Sequence, residues 1–191
     1  MAANRSRFID HLSAEIAKLP RDPYLRVAVD GRDGSGKTTF ADQLATALLG
    51  RGQAVIRATI DDFHHPSAIR YSRGKDNGSY RRGVFDLFAD SPHLQPLEKA
   101  VTGSILLIDG IFLHRPELIR WWNYSIWLEV KPEVSFSRMK IRDGIASADP
   151  MARTNIRYHQ GQQIYIDEVR PQQQATRVVD NDDFAFPKIL A

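Results

Sequence analysis

The chain has 191 residues, 42% of them hydrophobic, which suits a single globular unit with a sizeable core. It contains no cysteine, so disulfides, thiolate metal sites and cysteine nucleophiles are excluded, and it has no uncharged apolar run of about 18 residues that could span a membrane. The net charge of +3 is a mild basic excess, scattered except for concentrations at 70–82 and 138–157, whereas a nucleic-acid binder would gather it into one patch; no nucleic-acid partner is expected.

The opening stretch carries charges at helical spacing and no apolar signal core, which predicts a cytoplasmic chain rather than a secreted one. A helix over Arg5–Leu19 puts Phe8, Leu12, Ile16 and Leu19 on one face, ready to pack on a core. Five short apolar runs then recur: Leu25–Asp30, Ala54–Ile60, Ser104–Asp109, Tyr124–Val130 and Ala175–Asp180. Several are apolar almost throughout, as strands covered on both faces should be. Helical patterns fall between them, at Thr38–Leu49, Leu94–Val101, Pro116–Trp122, Pro132–Ile145 and Pro150–Val169. Alternating strand and helix predicts an α/β fold of three layers, a five-stranded parallel sheet flanked by helices. One polar segment, 64–92, breaks the alternation. It holds Tyr71, Tyr80, Phe85 and Phe88, more aromatics than a solvated linker needs, and is expected to be a functional connection rather than a disordered surface loop.

The most specific signal is "GRDGSGKT", which fits G-x-x-x-x-G-K-[ST] between the first strand and the following helix. Glycines at 31, 34 and 36 let successive backbone N–H groups turn inward around an anion, and the helix beginning near Lys37 adds its positive end. Gly31, Asp33, Gly34, Ser35, Gly36, Lys37, Thr38 and Thr39 are therefore expected to bind a nucleoside triphosphate. Lys37 would reach the β- and γ-phosphates, and the Thr38 hydroxyl would meet magnesium.

What receives the phosphate should stand at the ends of the neighbouring strands, where ligands gather in an open α/β sheet. After the second strand comes "IDDFHHP". A carboxylate at Asp61 can orient an alcohol and take its proton; Asp62 is the competing candidate. After the third strand, Asp109 in "LLIDGIFL" stands where an acid would steady magnesium together with Thr38. Arg138 and Arg142 are four apart on a predicted helix, share a face, and could carry charge on the transferred group. Arg153 and Arg157 repeat the spacing. His64, His65 and His114 lack metal-ligand spacing and read as substrate contacts or surface residues.

In order, "GRDGSGKTTFADQL", "IDDFHHP", "ILLIDGIFLHRPEL", "RMKIRD" and "VVDNDD" resemble the uridine kinase family and the wider group of P-loop small-molecule kinases, which includes pantothenate, ribosylnicotinamide and phosphoribulose kinases. The resemblance covers about residues 25–187. It implies one P-loop kinase domain over 1–191, with an N-terminal helix (1–23), a substrate-binding insert (64–92) and a lid (138–157). It implies ATP and Mg2+ as cofactors and a hydroxyl-bearing small molecule as substrate, most directly a nucleoside. Carried over by residue, Asp61 activates the hydroxyl, and Phe85 and Asp86 hold the acceptor, with Phe63, His64 and Tyr80 beside them. Lys37, Arg138 and Arg142 act on the γ-phosphate, while the loop after the last strand lies on the adenine side. Fewer than twenty residues separate Asp86 from the third strand, leaving little room for a separate gripping hairpin. The alternative acceptors are pantothenate, a sugar or ribosylnicotinamide. The donor base, ATP or GTP, and a homo-oligomeric state stay open. A reading from another class is an NTP-dependent switch or nucleic-acid-binding ATPase.

Overall fold

A computed structural model describes residues 2–63, 85–86, 91–92 and 100–191. In chain order the elements are α1 (Ala2–Ala17), β1 (Leu25–Gly31), α2 (Lys37–Gly50), β2 (Val55–Thr59) and a single 3-10 turn (Ile60–Phe63). Then come β3 (Phe85–Asp86), β4 (Ser91–Pro92), β5 (Ile105–Gly110), α3 (Pro116–Ile119), β6 (Tyr124–Glu129) and α4 (Pro132–Asp143). The chain ends with α5 (Ile156–Val169), α6 (Pro171–Gln174), β7 (Arg177–Asp180) and β8 (Lys188–Ile189).

The main sheet has the order β2-β5-β1-β6-β7-β8, and its first five strands run parallel. All five strands expected from the apolar runs are present. The sheet gains a sixth, β8, which pairs antiparallel with β7 at the edge. Two residues of a charged, proline-preceded tail carry too little periodicity to mark such a strand in advance. The chain leaves β1 for β2 at one edge, returns to β5, and later reaches β6 on the other side of β1. That reversal opens crevices at the carboxyl ends of the central strands.

Alternation along β1 divides the core. Leu25, Val27 and Val29 face α1 and α2, meeting Leu12, Ile16, Phe40, Leu44 and Leu48 in one apolar cluster. On the opposite face, Trp127 and Val178 pack against Tyr165 and Ile166 of α5, while Ala28 and Ile108 meet Leu113. The N-terminal helix packs as its spacing implies, with Phe8 and Phe40 in edge-to-face contact at 6.3 Å.

Three expectations about helices change. The helix expected over Pro150–Val169 starts at Ile156, because Asn155 Nδ2 donates to the carbonyls of Ser147 and Asp149 (both 2.8 Å) and holds the preceding residues in turns. Arg153 therefore lies in a turn and shares no helical face with Arg157. The helix expected over Pro116–Trp122 closes at Ile119, and Trp122 instead donates its indole N–H to the Leu113 carbonyl at 2.7 Å. Most of the helix expected over Leu94–Val101 lies outside the described residues, and Val101 is not helical. The short connection after Asp86 does accommodate a two-residue antiparallel ribbon, β3 with β4.

Leu12 is fully buried in the cluster that fastens α1 to the sheet. Leu12→Ala should cost about 2–5 kcal/mol of folding free energy by urea denaturation. A loss below about 1 kcal/mol would mean that α1 is not part of the core.

Candidate active site

The site begins one residue before the glycine loop. Asp30 ends the apolar run of β1 on the α5 side of the sheet and is fully buried. Its Oδ1 accepts the Gly31 N–H at 2.7 Å; its Oδ2 accepts the N–H groups of Leu113 (2.9 Å) and His114 (3.1 Å), the His114 ring Nδ1–H (2.8 Å) and the Tyr165 hydroxyl (2.6 Å). The carboxylate only accepts, so Nδ1 carries the imidazole proton. Phe112 makes this geometry possible: its φ of 64° turns the next two N–H groups inward, in the left-handed region that non-glycine residues seldom adopt. Burial, and then Asp30, push the Tyr165 hydroxyl well above the usual tyrosine range, so it stays a donor. His114 is thus no surface or substrate-contacting residue; it is fully buried beneath the loop.

The loop itself is closely fitted. Gly34 has φ 69°, and a Cβ there would collide with the Ser135 carbonyl at the start of α4. Gly36, φ 87°, caps α2, and no side chain makes a capping hydrogen bond there, so no side-chain acceptor takes up the first N–H groups of α2. That cradle is what a phosphate group requires. Helix α5 grips the loop from one side, with Gln162 Nε2 donating to Asp33 Oδ2 at 2.9 Å and Arg32 Nη2 donating to Gln163 Oε1 at 3.0 Å. Ser135 of α4 donates its hydroxyl to the Asp33 carbonyl.

Lys37 is buried, and its ammonium donates to the Arg32 carbonyl at 2.7 Å. Burial pulls its pKa down, and the negative fields of Asp33, Asp30, Asp109 and Asp61 oppose that pull. Thr38 Oγ1 donates to Asp109 Oδ2 at 2.8 Å, bringing together the two oxygens expected at magnesium. The same aspartate receives Arg57 Nη2 on Oδ1 at 2.6 Å, and Arg57 Nε reaches Asp42 at 2.9 Å. Arg57 thereby fixes the orientation of Asp109, leaving Oδ2 toward Thr38.

Asp61 is exposed in the 3-10 turn that follows β2. It lies near enough to Lys37 and Arg142 to contribute to the field at both. Arg138 and Arg142 do share a face: they line a cavity of about 450 Å³ together with Gly34, Gly36, Lys37, Thr38, Thr39 and Phe184. Arg138 Nη2 donates to the carbonyls of Asn181 and Asp182 (both 2.8 Å), while Arg142 forks onto Asp143, with both contacts at 2.6 Å. The backbone of β3 lies against the 3-10 turn, which brings Phe85 and Asp86 into the neighbourhood of Asp61. His64 and Tyr80, and the side chains of Asp62, Phe63, Phe85 and Asp86, lie outside the described residues, as does most of the 64–92 insert.

Several residues of this region were not singled out by the sequence reading. Asp30 is a charge ending an apolar strand just before a glycine, and Arg57 is a cation inside a strand; either oddity is a signal. Asn181 is fully buried after β7 and donates Nδ2 to the Ser35 carbonyl at 2.7 Å. Arg5 of α1 donates to Asn181 Oδ1 at 2.9 Å, to Gln43 Oε1 at 2.6 Å and to the Phe184 carbonyl at 2.8 Å. Burial, and then the nearby Arg138 cation, lower its pKa to about 10, so it remains charged at neutral pH.

The strand order, the glycine loop between β1 and α2, and the acid at the end of β5 define the P-loop NTPase fold. Among solved structures, the chain is similar to a protein described as a possible uridine kinase from Bacillus stearothermophilus (TM-score 0.63, 22% identity, 89% of this chain and 96% of that one). It is also similar to a protein provisionally called a fructose transport system kinase from Silicibacter sp. TM1040 (TM-score 0.62, 22% identity, 82% and 94%) and to the YGR205w protein (TM-score 0.62, 12% identity, 91% and 90%). The fold implied by the sequence resemblance is the fold observed. No protein-family model matches the chain, and no curated protein matches it by sequence.

Tyr165→Phe keeps the ring packing and deletes one donor to the buried carboxylate of Asp30. The expected loss is about 2 kcal/mol in urea unfolding, as for a hydrogen bond to a charged group. An unchanged unfolding midpoint would show that Asp30 does not rely on α5.

Proposed function

We propose that the protein is a kinase that transfers the γ-phosphate of ATP to a hydroxyl group of a small metabolite. The observation that carries this reading is the convergence, at one end of the sheet, of the glycine-turned loop at Gly34–Thr38, the Thr38–Asp109 oxygen pair and the arginine-lined cavity. Asp61, exposed in the turn after β2, offers a carboxylate that orients an acceptor hydroxyl in a kinase and would orient water in an ATPase, so the product formed tells the two apart.

In this reading the amides of Gly34, Gly36, Lys37 and Thr38 hold the phosphates of the donor, while the Ser35 N–H donates to the Arg32 carbonyl at 3.1 Å. Lys37 exchanges the Arg32 carbonyl for phosphate oxygens, which relieves the cost of burying its charge. Arg138 and Arg142 carry the charge that develops on the transferred group. For Arg142 this means releasing Asp143, an exchange that is cheap for an exposed pair. Thr38 and Asp109 would hold magnesium: two hard oxygens, one already ionic, suit that ion. Bound there, magnesium would supply positive charge against the phosphates. Asp61 orients the acceptor hydroxyl and takes its proton; Asp62, one residue on, is the alternative base. The donor's base end lies toward the loop after β7, at 181–186. The acceptor lies against Asp61, Phe63, His64, Tyr80, Phe85 and Asp86.

A nucleoside is the first acceptor to test, followed by pantothenate, sugars and ribosylnicotinamide. The possible uridine kinase and the fructose transport system kinase among the similar structures bear names that fit small polyhydroxylated acceptors. No helix among the described residues is long and apolar enough to cross a membrane. A reaction that draws on ATP fits a cytoplasmic protein.

Two measurements test the proposal. Incubation with ATP and an acceptor panel, read by mass spectrometry, should reveal one metabolite gaining a phosphoryl group; ATP hydrolysis stimulated only by RNA or DNA would overturn it. Asp61→Ala should lower kcat by roughly 10²–10⁴-fold while ATP affinity stays within about twofold. Transfer at the wild-type rate would remove Asp61 from the chemistry.

A further inference from the structure

Helix α1 lies outside the kinase resemblance, and its apolar stripe already explains its packing. One residue on that stripe does not fit such a role. Arg5 precedes Ile9, Leu12 and Ile16 at helical spacing, so the position faces the core, yet it carries a guanidinium that is only 5% exposed. Its Nη2 has no hydrogen-bond partner among the described residues. A leucine there would pack without that desolvation cost. The guanidinium bonds Gln43 and Asn181, but it meets Phe184 twice: its carbon stands 3.8 Å over the centre of the Phe184 ring while Nη1 holds the Phe184 carbonyl at 2.8 Å. Ring and backbone of Phe184 are thus fixed by a single group.

Phe184 is an unusual residue to fix so firmly, because it belongs to a surface loop and remains 40% exposed. Its ring edge comes within 3.6 Å of where a Cβ on Gly36 would stand, directly beside the cradle. It lines the 450 Å³ cavity containing Lys37 and Arg138, and with Thr39 it separates that cavity from a groove of about 750 Å³ between α1 and α2. Arg5 covers one face of the ring, so the exposed part belongs to the rest of it. Across the same cavity, Arg138 is tethered by the carbonyls of Asn181 and Asp182. A pinned aromatic ring and a pinned guanidinium bordering one cavity suit a flat, electron-rich heteroaromatic.

We infer that Arg5 is a positioning residue of the donor site: it holds Phe184 as the ring on which the nucleobase of the triphosphate stacks. The inference rests on the kinase reading, and it gives the N-terminal helix a part in donor binding. Arg5 also reaches the glycine loop through Asn181 and the Ser35 carbonyl, so a purely supporting role must be told apart. Tripolyphosphate does this, because it offers the phosphates without a base.

Calorimetric titration of the whole chain with MgATP and with magnesium tripolyphosphate separates the two roles. Arg5→Met and Phe184→Ala should each weaken ATP binding roughly 10-fold, the loss expected for one base stack, while tripolyphosphate binding moves by less than about 2-fold. Arg5→Lys, which keeps the charge but not the planar fork, should fall between. Equal weakening of both ligands would mean that Arg5 serves only the loop, and unchanged ATP binding would remove it from the site; either overturns the inference while leaving the kinase reading intact. Should Arg5→Met fail to fold, Arg5→Lys and the exposed-loop variant Phe184→Ala carry the same comparison. A wild-type chain that binds neither ligand overturns the kinase reading and this inference with it.

Discussion

The buried carboxylate of Asp30 is the point on which the site turns. It takes five hydrogen bonds from three separate parts of the chain: the first residue of the glycine loop, the turn after β5, and helix α5. An ionised group without that shell would be costly to bury. With it, the start of the loop, the strand that bears Asp109 and the helix that follows the expected lid segment are drawn to one place. The strain at Phe112 is tolerated for the same purpose, since it aims two backbone N–H groups at one oxygen.

From that anchor the loop is held on every side. Helix α5 takes Arg32 and Asp33, α4 presses against Gly34 and holds the Ser35 carbonyl through Arg138, and α1 reaches the same carbonyl through Arg5 and Asn181. These contacts occupy loop carbonyls and side chains, and they leave the inward N–H groups of Gly36 and the first turn of α2 available to an anion. Preorganisation of this kind is what electrostatic catalysis of phosphoryl transfer requires.

Much of this was legible in the sequence, for identifiable reasons. Five near-continuous apolar runs mark strands buried on both faces, and the glycine-lysine-threonine spacing has a mechanical meaning that survives any context. Thr38 and Asp109, 71 residues apart in sequence, do meet. The roles that the sequence hides depend on partners far along the chain. His114 is ordinary as a letter and becomes a buried donor only because β1 and β5 are neighbours. Arg5 stands on an apolar stripe, a visible anomaly, but its partner Phe184 comes 179 residues later. The edge strand β8 and the turns at 150–155 are set by a few tertiary hydrogen bonds, to which periodicity is blind. The insert at 64–92 was read from its aromatics, and most of it falls outside the described residues.

The central claim is that the backbone amides of the glycine loop grip a triphosphate. Backbone amide shifts in a 15N-labelled sample, followed as MgATP is added, test it most directly. The account predicts large saturable shifts at Gly34, Ser35, Gly36, Lys37 and Thr38, with smaller ones at Phe184. Saturable ATP binding that leaves those five amides unmoved, or no binding at all, would contradict it.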